Sequence, residues 1–119
     1  MSSDAIRQAL SRPQRTYDSV SIDGVTFWCQ SLSELETSEA AASATDARGR
    51  FDGGRHRREL IVRSLVEGEG GSRVYGDKDH AQLKEAPRRL TQAIMDVIDR
   101  LNTFADVGKS QSGSTATDD

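Results

Sequence analysis

The sequence predicts a small, mainly helical α+β domain with an N-terminal two-stranded β-hairpin and flexible termini. Three observations carry that prediction. Val20, Ile22, Val25, Phe27 and Cys29 alternate around Asp23-Gly24, a dipeptide that tolerates positive φ and closes hairpins. Ser33-Glu34-Leu35-Glu36 is a capping box, with serine at the N-cap and glutamate three residues on. Leu90, Ile94, Val97, Ile98, Leu101 and Phe104 fall on one face of a helix, while Arg88, Arg89, Gln92, Asp96, Asp99 and Arg100 fall on the other.

At 119 residues the chain suits one domain with a modest core. Only 34% of residues are apolar and 29% are charged, a lean composition that is easier to explain if both ends are unstructured. Residues 1–15, polar and arginine-bearing with Pro13, read as a loose arm, in which AIRQAL has at most a turn or two of helix. Residues 16–106 read as the domain. Residues 107–119, rich in serine, glycine and threonine, read as a disordered tail.

Within the hairpin, Val25, Phe27 and Cys29 are expected to cover the helices, with Trp28 pointing the other way. The capped helix should run to about Ala44. Asp46–Gly54 carries glycines and mixed charge and is expected to be a mobile loop, with Phe51 its one sizeable apolar residue. A helix over Arg55–Val66 follows and ends at three glycines among Gly68–Gly71. Val74-Tyr75 reads as a short extended pair. Asp77 is expected to cap a brief helix over Lys78–Lys84, and Pro87 to open the last long helix, where its missing N–H costs nothing. Leu65, Leu90, Ile94 and Leu101 should be buried together.

The search for chemistry yields little. A net charge of −3 is mild, and no apolar run approaches a membrane span. One cysteine precludes an internal disulfide and fits a reducing compartment. His56, His80 and Cys29 have no metal-ligand spacing. Asp77, Asp79 and Glu85 lack the ladder of a calcium loop, and the GEGG run lacks the lysine of a phosphate loop. No nucleophile elbow occurs. No catalytic residue, cofactor or metal is therefore expected. The arginine cluster Arg48, Arg50, Arg55, Arg57, Arg58 and Arg63, with His56, could grip nucleic acid phosphates. Interleaved Asp46, Asp52 and Glu59, and the scarcity of aromatics, favour a solvated surface instead.

The order of elements resembles the tail assembly chaperones of long-tailed bacteriophages. The resemblance rests on Leu60, Ile61, Val62, Leu65 and Val66, then Gly68, Gly70 and Gly71. Val74-Tyr75, Asp77 and Asp79, and the closing Leu101-Asn102 complete it. It spans about residues 20–104 and is a matter of residue class; the arginine-rich loop and serine-rich tail depart from it. It implies a non-enzymatic protein that binds the tape measure protein and keeps it soluble until tail tube subunits polymerise. The tail tube protein is a second candidate partner, and self-association stays open. Host cytoplasm during assembly, and absence from the virion, are the implied locations. Phe51, Arg57, Arg58 and Tyr75 are the candidate partner contacts. A small nucleic-acid-binding regulator and another phage tail structural or connector protein are the rival readings. The family also implies a ribosomal frameshift late in the gene, for which Gly108-Lys109 is a plausible slip site.

Overall fold

Asp23 and Gly24 both adopt positive φ, at 53° and 81°, so the chain reverses in two residues and the hairpin follows. In the computed structural model, which describes residues 2–11 and 15–102, β1 (Tyr17–Ile22) pairs antiparallel with β2 (Val25–Gln30). Val20 lies opposite Phe27 and Asp18 opposite Cys29, so the apolar positions of both strands share the face towards the helices. Cys29 is fully buried there, whereas Val25, beside the turn, is exposed. Trp28, opposite Ser19 on the other face, is half-buried.

Helix α1 (Ser3–Ser11) occupies the segment expected to be a loose arm. Its helicity is local: the Ser2 side chain accepts from the Ala5 N–H, Asp4 sits in the first turn, and no residue of the helix is buried. The expected tail at residues 107–119, Phe104 and Gly108-Lys109 lie outside the described residues.

Helix α2 (Glu34–Ser43) starts at the capping box, and both reciprocal hydrogen bonds are present. Arg15 fastens this start to the chain before β1. Its guanidinium donates to both carboxylate oxygens of Glu36, one at 2.9 Å, and to the Ser31 carbonyl at 2.7 Å. Burial alone would raise the Glu36 carboxyl, but the hydrogen bonds from Arg15 and Ser33 outweigh it and hold it below its ordinary value.

The loop after α2 carries a hydrogen-bond network that its composition does not announce. Asp46 Oδ1 accepts from the backbone of Arg48 and Arg50, both at 2.9 Å, and the Asp46 N–H donates to the Arg50 carbonyl. Thr45 and Phe51 form an antiparallel bridge. Aspartate chemistry closes this segment into a compact turn, where composition alone suggests mobility. Asp52 then caps α3 (Gly53–Ser64) by accepting from the Arg55 N–H at 3.0 Å, so the two glycines expected in the loop form the first turn of the helix.

Helix α3 ends at Ser64, two residues before the sequence places its end, and Leu65–Val66 form a third strand, β3, against Cys29 and Trp28 of β2. Side chains enforce the switch. Ser64 Oγ donates to the Gln30 carbonyl at 2.7 Å, and Gln30 Nε2 donates to the Arg63 carbonyl at 3.0 Å. The last turn of the helix is thereby tied to the end of β2, and the next two residues complete the sheet β1-β2-β3. Beyond the glycine turn, Arg73 bridges back to Val66.

The next segment also differs from expectation. Asp77 pairs with Arg73 at 2.6 Å, while Asp79 takes the Gly76 N–H at 2.7 Å, and His80–Leu83 form a short 3-10 helix. Pro87 stands just before α4 (Arg88–Asn102), and its carbonyl accepts from Leu90 and Thr91. At the far end Asn102 accepts from the Leu32 N–H at 2.8 Å and donates to the Ile98 carbonyl at 2.7 Å. Arg100 meets Asp18 at 3.0 Å and Arg89 meets Asp23 at 2.7 Å, which lays α4 along the hairpin.

The core between sheet and helices is Cys29, Ile61, Val62, Leu65, Leu83, Ile94, Val97 and Ile98. Leu65 and Ile94 are buried as expected. Leu101 is half-buried against the cluster, and Leu90 is half-buried outside it. The architecture is a small α+β domain: among the described residues, helices on a three-stranded antiparallel sheet.

Candidate functional site

The arginine cluster is divided by burial. Arg63 is 4% exposed and Glu59 is 1% exposed, and the two meet at 2.6 Å within α3. Arg63 also donates to the Glu59 carbonyl at 3.1 Å, and Arg55 reaches the other carboxylate oxygen of Glu59 at 3.2 Å. Arg63 is therefore a core residue and is unavailable to phosphate. Arg48 and Arg50 are held on the compact turn by their backbone, with exposed side chains. Arg57 and Arg58 remain at the surface of the first half of α3, both half-buried.

Helix α3 packs against α2 on one side and α4 on the other, and the three leave a groove between them. A cavity of about 400 Å³ is lined by Thr37 of α2, His56 and Leu60 of α3, and Met95 and Asp99 of α4. It continues into a depression of about 250 Å³ that shares His56, Leu60, Met95 and Asp99 and adds Gly53, Arg57 and Gln92. Leu60 and Met95 give the groove an apolar floor. Arg57 bridges its edge by donating to Gln92 at 3.2 Å, and Gln92 donates to Asp96 at 3.1 Å.

Phe51 stands near one end of this groove. Its ring is 57% exposed and lies 5.1 Å from that of His56, tilted by 58°. Burial pushes the His56 imidazole below its ordinary value, with Glu59 opposing, so it is mainly neutral near pH 7. Of the candidate contacts, the fold thus brings Phe51 and Arg57 towards the groove through His56. Tyr75 is absorbed elsewhere, half-buried against the core.

A second cavity, of about 260 Å³, opens where α3 meets the start of α4. Arg57, Arg58, Lys84 and Arg88 line it, with Gly54 and Thr91. Arg57 belongs to this cleft and to the groove, so the two adjoin. In the sequence Leu60 belongs to an apolar run, Lys84 ends a brief helix and Arg88 lies on a polar helix face, and none of the three, nor Met95, signals a shared site. Their spacing carries no local signal, because the site assembles from three helices and a 3-10 turn.

Cys29 faces none of these cavities, and burial pushes its thiol up to about 11, far from the thiolate a nucleophile needs. Among the described residues no group of three His, Cys, Asp or Glu side chains could hold a metal ion, and no helix is long and apolar enough to cross a membrane. No family model, curated protein or solved structure matches the chain significantly.

Proposed function

We propose that this chain is a non-enzymatic tail assembly chaperone of a long-tailed bacteriophage, which binds helical segments of the tape measure protein until the tail tube forms around it. The observation that carries the reading is the open groove over α3, with Leu60 and Met95 as an apolar floor between polar walls. A cleft between helices suits an amphipathic helix, which lays its apolar face inward and keeps its polar face in water. The resemblance in element order supplies the name of such a partner. The chaperone would act in the host cytoplasm and be left out of the virion, with the tail tube protein a further partner on release.

Co-expression with the tape measure protein of the same phage tests this. Soluble tape measure protein should be recovered with the native chain and lost with Met95→Glu, which puts a charge on the groove floor, and the variant's thermal midpoint separates lost binding from lost folding. Equal recovery with and without this chain would refute the proposal.

A further inference from the structure

We infer that the cleft between α3 and α4 is an anion-binding site that receives the carboxylates of an acidic segment of a protein partner. Four cationic side chains, Arg57, Arg58, Lys84 and Arg88, converge on it from α3, the 3-10 turn and α4. Among the described residues none of the four forms an ion pair, although seven such pairs are present elsewhere in the fold. Arg58 Nε is fully buried and has no hydrogen-bond partner, an arrangement that is costly unless the guanidinium meets an acceptor.

The acids nearest in sequence are committed or open to solvent. Glu59 is taken by Arg63 and Arg55, Asp52 caps α3, and Glu85 is exposed. The first turn of α4 also reaches the cleft at Arg88 and contains no acid, whereas the start of α3 already holds the Asp52 carboxylate, which Arg58 helps to stabilise. Helix N-termini carry partial positive charge, so arginines placed there repel the backbone and gain from a bound anion. His80 reports the same field. Burial lowers its imidazole first, and the charges of Arg55, Arg58 and Lys84 lower it further, against Glu59.

A carboxylate-bearing peptide fits this site better than a nucleic acid. The cleft is confined, and the surfaces beside it carry Asp96, Asp99 and Glu85, which would repel a continued phosphate backbone. Its continuity with the groove through Arg57 gives the ligand a direction: an amphipathic helix in the groove would place an acidic end in the cleft. That last step rests on the groove reading, whereas the anion site stands without it.

Two probes separate the two ideas. The first is capped tetraglutamate, followed by NMR of the arginine and lysine side chains of the full chain. The second is an amphipathic leucine-rich peptide ending in four glutamates, compared with its four-glutamine counterpart. Tetraglutamate should shift the Arg58 and Lys84 signals, and the glutamate-ended helix should bind at least tenfold more tightly than the glutamine-ended one. Arg58→Gln with Arg88→Gln should abolish that tenfold preference; Lys84→Gln, at an exposed position, should weaken it with the thermal midpoint unchanged. Shifts with tetraglutamate but no binding of either helix would support the anion site and refute the groove. Equal binding of the two helices, or no tetraglutamate shifts, would overturn the anion site. Displacement of tetraglutamate by a pentathymidylate, whose four phosphodiesters match its charge, would overturn the choice of peptide over nucleic acid.

Discussion

Both halves of α3 carry arginine, and they use it in opposite ways. Its first half, Gly53–Arg58, holds Arg57 and Arg58 at partly exposed positions around two cavities. Its second half, Glu59–Ser64, is buried throughout, charges included. Arg55 already reaches Glu59, but among the described residues Arg57 and Arg58 form no ion pair and are open to a partner. The arginine in the second half, Arg63, is locked to Glu59 and stands among Ile61, Val62 and Leu65. Burial, set by what packs over each turn, decides which guanidinium can bind and which one can only hold the fold.

The sharpest way to break that contrast is to remove one partner of the buried pair. Glu59→Ala would leave the Arg63 charge without its carboxylate in the core, which typically costs ~3–5 kcal/mol. A domain of this size has ~5–10 kcal/mol in total, so the variant should unfold far earlier in urea. Replacing both residues by Leu and Met should recover most of the loss, because an apolar pair of similar volume needs no counter-charge. A Glu59→Ala variant of native stability would show that Arg63 escapes to water and that the two halves are alike.

Next in size is the core that the second half of α3 shares with α4. Ile94→Ala removes a side chain that is 5% exposed and central to the cluster, at a typical cost of ~2–4 kcal/mol. Calorimetry should show a clearly lower midpoint. Met95→Ala, one residue on, half-buried against the edge of the same cluster and lining the groove, should cost less, ~1–2 kcal/mol. Similar losses at the two positions would mean that Met95 belongs to the core as fully as Ile94 does.

What was legible in the sequence follows the same division between local and non-local causes. The hairpin, α2 and α4 announce themselves through Asp23-Gly24, the Ser33–Glu36 box and the spacing of Ile94, Val97 and Ile98, each of which acts within a few residues. Strand β3 does not, since Leu65 and Val66 continue the apolar pattern of a helix and become a strand only because Cys29 and Trp28 offer an edge. The compact turn at Asp46 was hidden by its glycines and charges, although an aspartate two residues before Arg48 and four before Arg50 is a signal for such a turn. The Glu59–Arg63 spacing of four residues hinted at an ion pair, yet nothing in it told that the pair would be buried. The groove and the cleft were beyond reach, because Thr37, Leu60, Lys84 and Met95 meet only in the tertiary structure.

A smaller effect is expected at the turn that leads into the exposed half. Asp46→Ala deletes the acceptor for two backbone N–H groups and should lower stability by ~1 kcal/mol. Its clearer sign is in hydrogen exchange. Native Gly49 and Arg50 amides, which donate to Asp46, should be protected, and the substitution should speed their exchange several-fold. Rapid exchange in the native chain would restore the picture of a mobile loop.

The smallest effect separates the two halves by acid. His56 and His80 have imidazoles held below their ordinary value, chiefly by burial, so the folded chain binds fewer protons there than the unfolded one. Stability from these groups is present above the unfolded pKa of about 6.5 and is lost as pH falls through the lower folded values. Glu36, also held low, adds a further loss below its ordinary range near pH 4.5. Lowering the pH from 7 to 5.5 should therefore destabilise the chain slightly, by under ~0.5 kcal/mol for His56 once solvent screening is allowed for. His56→Gln should flatten its share of that slope without changing stability at pH 7 by more than ~0.5 kcal/mol. Protonation would also place a cation beside Arg57 and against the ring of Phe51, at the groove rather than in the core. Partner affinity should accordingly respond to pH across this interval more than folding does, increasing for a helix whose acidic residues lie near His56. A folding slope larger than the binding slope would place the acid-sensitive part of the molecule in its interior, against the division of α3 into a binding half and a holding half.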